Sequence, residues 1–572
     1  MYSVLYNDIS GAAYSAQILK RPTEPTGTLL YNSDFGKPLV INKPGVYKLG
    51  ENIKLNFYPM SYDIFDVEQT GNDLFGFSAG IKILTTNVIL DLNGFTIVQS
   101  PQDFCVQRFF SIIQLNNSPF VMGAGPIPES YKSLITAERC IIRNGTLGLS
   151  SHQAILGNNN KNIILENLNL KDFEVTGITL NRINTLFMKN VNIMRSIGIE
   201  RFLPVSPYFS TLIWNYRLLK LTFIKFYITS IEQHLILEIN NHIRSILSQF
   251  LHIIYTNTSL TVIYNQLLQI TDKAYPYLKF LFNESKKSPC GVHGFKITGP
   301  RPTITKFHES IADDVTLEKS TNINIVDCSI NKLIAEITPK INITYNNKLV
   351  HIGAGLKLTS ALLAVPVIYH LAYTMNILGK NKALTSFLQT TVNDDIIDFI
   401  KMRRNTAGKI GFDTAYDMMG HINKGVMALR LGCSKTIKIK NVEISDIVNE
   451  GLKIDPKELE WYKCTYGIRN VTTASDTFLS PMSYHGAYAM GAIISGSEDC
   501  DISNCNISEI KSPHGAAVGL AINNICKNID ISNTKVTNLL SCITCFDSAT
   551  FVIDEKSENI NTKNFSFNPT TV

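Results

Sequence analysis

What most constrains this chain is a fixed step between similar short segments. Ile141-Ile142-Arg143-Asn144-Gly145-Thr146-Leu147 superimposes on Ile164-Leu165-Glu166-Asn167-Leu168-Asn169-Leu170. Both superimpose on Phe187-Met188-Lys189-Asn190-Val191-Asn192-Ile193, with the asparagines 23 residues apart each time. Apolar and polar residues alternate around each Asn, the pattern of a strand with one buried face. Nearer the C-terminus the step lengthens. Asp501-Ile502-Ser503-Asn504 returns as Asp530-Ile531-Ser532-Asn533, and Ile502, Ile531 and Ile560 are spaced by 29 residues. His485-Gly486 returns as His514-Gly515 at the same spacing, and single related copies lie at 323–330 and 437–444.

A period of 23 to 29 residues with two or three short strands and no obligatory helix is what one turn of a parallel β-helix needs. Leucine-rich repeats have a similar period but demand a Leu framework that is missing here. Stacked turns bury the inward Ile, Leu and Val of each strand against the next. The recurring Asn tolerates the αL conformation and offers an amide to the Asn one turn above. That column reads as structure, not as a binding site.

Two further segments carry a family resemblance. Pro44-Gly45-Val46-Tyr47-Lys48-Leu49, and then Asn87-Val88-Ile89-Leu90-Asp91-Leu92-Asn93-Gly94-Phe95-Thr96-Ile97, resemble the opening strands of the pectin-lyase-like proteins. The resemblance implies a mainly β fold, a right-handed parallel β-helix, over about residues 37–195, 290–335 and 425–567. The texture is also similar to β-helix proteins of giant DNA viruses. Such a fold hosts many activities, so it implies no particular one.

Two stretches lack the repeat and read as helix-rich insertions. Residues 230–255 carry long apolar-periodic runs, and 393–404 begin with Asp394, Asp395 and Asp398, where acids suit a helix N-terminus. The resulting order is an N-terminal segment (1–36), β-helix (37–199), insertion (200–289), β-helix (290–354), insertion (355–424) and C-terminal β-helix (425–572). The stretch from Leu358 to Gly379 is long enough to span a bilayer and carries no formal charge. Pro366, His370 and Asn376 within it favour a buried helix of a soluble insertion.

Composition narrows the function classes. The chain is 45% hydrophobic and only 17% charged, which excludes a disordered chain. A net charge of +6 is spread thinly, without Lys/Arg runs or zinc-finger spacing, so nucleic acid is not expected as a partner. The segment from Met1 to Ile18 lacks a basic n-region and an apolar h-region, so no secretion signal is read. A host cytoplasm or virion setting is expected if the source is viral. Eleven cysteines, an odd number without opposed CxxC pairs, read as reduced and mostly buried thiols.

Chemistry is sparsely signalled. Asp313-Asp314 resembles the paired Asp of polygalacturonases, but the Asn-Thr-Asp element is absent. His485 and His514 follow in the right order without a preceding Gly, and no Arg-x-Lys can follow them because Arg469 is the last arginine. Catalytic candidates are therefore Asp313, Asp314, His485 and His514, with Tyr484 and Tyr488 as aromatic surface for a glycan. The two His-Gly steps equally suit a structural corner, where Gly permits a tight bend. Glu498, Asp499 and Asp501 lack calcium-loop spacing, so no metal or other cofactor is expected. The leading expectation is a non-enzymatic β-helix protein, structural or in contact with a polysaccharide, glycoprotein or second copy, as in a viral particle. The alternative is a polysaccharide lyase or glycoside hydrolase.

Overall fold

The computed structural model describes residues 27–57, 78–107, 110–117, 135–196, 230–274, 292–298, 319–335, 424–449, 487–513, 516–523, 525–541, 549–553 and 557–568. These residues are mainly β, in one sheet of eighteen strands and another of ten, with the named strands paired in parallel. The order in which the chain visits them is clearest near the C-terminus. Glu498–Ser503 and Asn506–Ser512 lie in the long sheet, Ala516–Asn523 in the short one, and Lys527–Ser532 then returns beside Glu498–Ser503.

Most of the repeats match the register. Arg143 pairs with Glu166 and Glu166 with Lys189, at the step of the N-terminal repeat. Ile502 pairs with Ile531, at the longer C-terminal step. The single copies are neighbours too, through Ile323↔Ile437 and Ile330↔Ile444, as are the two opening segments through Val46↔Ile89. Ile560 departs from the expected series. It pairs with Ile529, and Ile531 pairs with Thr562, a step of 31. The short sheet lengthens by the same amount, since Val518 pairs with Ala549. Two extra residues preserve the side-chain alternation, so the sequence pattern looks unbroken while the register has moved by two.

The core lies between the sheets. Val88, Leu90, Cys140, Ile142, Ile163, Leu165, Leu186 and Met188 stack inward with no exposed surface. Burying one such aliphatic side chain contributes about 1.5–3 kcal/mol before entropy is counted. Between the two rows of the long sheet the chain bends at residues held in the αL region: Asn144, Asn167, Asn190, Asp327, Asn441, Asn504, Asn533 and Asn564. Their side chains form the expected ladder in part: Asn441 donates to Asp327 and Asn564 to Asn533, while among the described residues no side-chain hydrogen bond joins Asn504 to Asn441 or to Asn533. Asn190 Nδ2 donates to Asn167 Oδ1 (2.8 Å) and Asn167 Nδ2 to Asn144 Oδ1 (3.1 Å). A second αL column at strand starts, which the repeats do not announce, runs through Asn162, Thr185, Asn322, Thr436, Asp499, Asn528 and Asn559.

Strands of the short sheet bend differently. Ala428 and Leu429 both face the core, as do Ala154 and Ile155, so alternation breaks at this point. The residue at the break is small because strands crowd there. A Cβ on Gly177 would lie 2.6 Å from the Gly294 carbonyl oxygen, and one on Gly491 2.5 Å from that of Gly519.

Three α-helices are described. The first, α1 (Pro101–Val106), is capped by Ser100, whose Oγ accepts from the Asp103 amide. The helix read over 230–255 is present as α2 (Ser230–Thr256), followed by α3 (Leu260–Ala274). Ile246, Phe250, Ile253 and Ile254 of α2 and Ile263 and Leu267 of α3 are buried. Gln102 of α1 donates to the Asn257 carbonyl between α2 and α3. The second insertion, Lys424 aside, and the 358–379 stretch lie outside the described residues. Among the described residues no helix is long and apolar enough to cross a membrane.

All seven described cysteines are free thiols, six of them buried. Burial pushes Cys140 up to about 12, Cys328 to about 12 and Cys505 to about 11. Those thiols are core residues, not nucleophiles.

Candidate functional site

Of the residues singled out from sequence, Asp313, Asp314, Tyr484, His485 and His514 lie outside the described residues. Tyr488 is placed by its backbone alone, in register with Gly425 and Ala516. The step between the strands that follow the two His-Gly pairs is thus one short of the spacing of the histidines. The long sheet regains the full spacing after a turn at Ile525, which has a φ of 59°.

The described residues instead concentrate polar side chains on the face of the short sheet turned away from the core. Ser111, Gln114, Gln153, Thr176 and Thr179 sit on three adjacent strands, Phe110–Gln114, Gln153–Asn158 and Thr176–Asn181. Ser111 Oγ donates to Gln153 Oε1 (3.3 Å), and Gln153 Nε2 donates to Thr179 Oγ1 (3.2 Å). At the ends of two of these strands Asn181 Nδ2 donates to Asn158 Oδ1 (2.7 Å). These side chains are therefore fixed in orientation by one another.

Two neighbours are not satisfied. Gln114 Nε2 and both side-chain polar atoms of Asn116, two residues on, are buried without a hydrogen-bond partner among the described residues. A buried unpaired amide costs about 1–3 kcal/mol. Lys82 is in register with Gln114, on the outward side between the core residues Ile81 and Ile83. It is half-buried, and desolvation lowers the pKa of its amine.

The short sheet also has a distinctive charge. None of its ten strands contains Asp or Glu, while Lys82, His293, Lys296, Lys424 and Arg430 lie in them. Thr179, Lys296 and Arg430 occupy successive positions of one register row. This face can donate hydrogen bonds and attract an anion, but its strands offer no carboxylate pair.

The long sheet's outer face is arranged otherwise. Asp91, Arg143, Glu166 and Lys189 form one row of alternating charge. Arg143 donates through Nε to Asp91 Oδ2 (2.9 Å), and its Nη2 lies 2.9 Å from the same oxygen. Glu166 Oε1 is 3.9 Å from Nη1, and the Arg143 and Asp91 side chains are 6% and 8% exposed. Beside them Val46, Ile89, Ile141, Ile164 and Phe187 form an apolar stripe on the same outer face. Further along, Lys435, Glu498, Lys527 and Glu558 repeat the alternation, with Lys527 Nζ 3.3 Å from Glu558 Oε2. The Lys319 hydrogen bond and nearby Lys435 hold the Glu498 carboxyl below its ordinary value, against a smaller opposing effect of burial. Asp499 occupies an αL position and accepts from Asn528. Glu498 and Asp499 are thus held by neighbouring strands, Asp501 lies in register between Lys438 and Asp530, and no group of side chains among the described residues is arranged to hold a metal ion.

Neither Lys82 nor the amides around it stood out in the sequence. The available signal was the absence of acids from ten strands, visible only once those strands are known. Comparison with protein-family models, curated proteins and solved structures finds no match for this chain.

Proposed function

We propose that this protein is a right-handed parallel β-helix of the pectin-lyase-like kind that acts as a non-enzymatic structural protein contacting glycans, at the surface of a viral particle. The carrying observation is the outer side of the short sheet: its strands hold no acid, Lys82 and Arg430 are partly exposed, and beside them lie buried hydroxyls and amides, of which Gln114 Nε2 has no partner among the described residues. Amide and hydroxyl side chains are suited to sugar hydroxyls, and Lys82 and Arg430 favour glycans that bear carboxylate or sulfate groups. Parallel strands joined by crossovers within one sheet are right-handed in about 98% of cases, which supports the hand. Side-chain ladders on the long sheet support a stiff shaft.

Glycoside hydrolysis requires two carboxyl groups flanking the scissile bond, and the short-sheet strands provide none. A polysaccharide lyase is the second reading, favoured by Lys82, because a desolvated amine with a lowered pKa suits the base of an elimination. One experiment separates the two. The purified chain is applied to a glycan array, and unsaturated and reducing-end products are assayed on the same polysaccharides. Binding to acidic glycans without product, weakened in Gln114→Ala, is the expected result. Product that vanishes in Lys82→Ala replaces it with the lyase reading, and product that vanishes in Asp313→Ala with the hydrolase reading. No binding to any glycan overturns the proposal.

A further inference from the structure

The outer face of the short sheet turns from polar to apolar toward the C-terminus. One register row runs from Ser111, Gln153 and Thr176 to Met427, Met490 and Val518. The next runs from Gln114 and Thr179 to Arg430, Ile493 and Ala521, with the half-buried Arg430 at the change. Met427, Met490, Ile493, Val518 and Ala521 stand outside the core cluster, next to core residues such as Val426, Ala489, Ala492, Ala517 and Ile522, so they point away from it.

They are nevertheless shut off from water. Met490 and Ala521 are 0% exposed, Val518 1%, and Met427 and Ile493 5%. In the same turns the outer face of the long sheet meets solvent, with Lys438, Asp501 and Asp530 exposed in one row. A buried outward face of Met, Ile and Val has another element lying on it. The described helices lie against one another, α2 on α3 and α1, so the cover comes from elsewhere in the chain.

Two stretches re-enter the short sheet at this patch. Residues 336–423 precede Lys424–Gly432, the strand of Met427, and 450–486 precede Ala487–Ser495, the strand of Met490. Charges from Lys453 to Asp476 interrupt the second stretch. The first contains 358–379, uncharged and as apolar as the patch. In a helix, Ala361, Val365, Ile368, Ala372 and Met375 would share one side, with Thr359, His370 and Thr374 opposite. Two such sides suit a protein surface and water better than lipid all round. The helix would be about 33 Å long, and the strands of Met427 and Val518 are only ~10 Å apart. The tethers 336–357 and 380–423 span that distance with ease. We propose that 358–379 docks as a helix on Met427, Met490, Ile493, Val518 and Ala521, covering the apolar half of the short sheet instead of crossing a membrane.

The test uses the full chain with its methionines replaced by their diazirine analogue, which keeps the side chain's size and bonds on irradiation to whatever touches it. Cross-links from Met427 and Met490 into 358–379 of the same chain, mapped by mass spectrometry, are the expected result. Ile368→Lys, on the docked side, should lower Tm by at least about 2 °C and remove those cross-links, whereas His370→Lys on the water side should change neither. The proposal is overturned by cross-links that run to 450–486 or to a second copy instead, or by their absence from 358–379. Equal damage from the two lysine variants, or a chain recovered only from detergent-dissolved membranes, overturns it as well.

Discussion

Both sheets are made by the same stacking of parallel strands, yet their polar side chains are paired differently. Each holds a buried amide nitrogen without a partner among the described residues, Gln99 in the long sheet and Gln114 in the short one. On the long sheet the ladder side chains are answered from the next strand over, as in the Asn144, Asn167 and Asn190 column or the Asp91, Arg143 and Glu166 row. On the short sheet Ser111, Gln153 and Thr179 answer one another, while Gln114 Nε2, beside the half-buried Lys82, has no partner among the described residues, nor do the buried side-chain atoms of Asn116 just past the strand end. A satisfied ladder rigidifies the strands it joins, and a buried polar group without a partner is a local cost to stability.

The largest expected effect lies on the long sheet. Arg143→Ala leaves Asp91 and Glu166 buried without the cation between them, and should cost about 3–5 kcal/mol in urea unfolding. A variant as stable as wild type would mean that the charge row is incidental to the N-terminal half. Gly177→Val tests the short sheet's packing instead of its polarity. Its Cβ would press on the Gly294 carbonyl, and overpacking of this kind costs about 1–3 kcal/mol, read as a lowered Tm. Asn167→Ala comes next. It removes two ladder hydrogen bonds and puts a Cβ residue without an amide in the αL region, for about 1–2 kcal/mol, and Asn167→Gly should recover the backbone part.

Gln114→Leu sharpens the contrast most directly. Removing an amide whose nitrogen has no partner among the described residues should change stability by no more than about 1 kcal/mol in either direction, while glycan binding falls. Loss of stability with binding intact would place Gln114 among the structural residues. Acid titration has the smallest effect and belongs to the long sheet alone. Hydrogen bonds from Lys319 and Lys511 hold the carboxyls of Glu498 and Glu509 below their ordinary values. Carboxyls lowered in the folded state stabilise it above their unfolded pKa, and that contribution is lost as pH falls through the folded value. For these partly exposed pairs the loss should be under about 1 kcal/mol, as an acid-side decline in Tm that Glu498→Gln reduces.

How legible the fold was depended on whether side chains alternate. Around Asn144, Asn167 and Asn190 alternation is regular and Asn suits the αL bend, so local sequence reveals both strand and corner. The short sheet hides itself because two consecutive residues face inward, as at Ala428-Leu429, and a period of two no longer describes it. The Ile560 register was missed because a shift of two residues leaves the inward face unchanged. Thr185, Arg139, Lys332 and Glu509 also stand in the αL region, where no local preference would put them. Their neighbours in register impose it.

The amino-acid sequence thus determined, by itself, that short strands recur at a fixed step, shorter in the N-terminal half than near the C-terminus, and that an Asn turns the chain between them. It did so because burial pattern and backbone preference act over a few residues and leave a local trace. Only the tertiary structure decided which strands become neighbours across insertions, as when Met188 meets Ile325 and Ile325 meets Ile439. It alone gathered the acid-free strands into one sheet and set Gln114, whose Nε2 has no partner among the described residues, beside Lys82. Those are properties of strands far apart in the chain, and stacking in space is what brings them together.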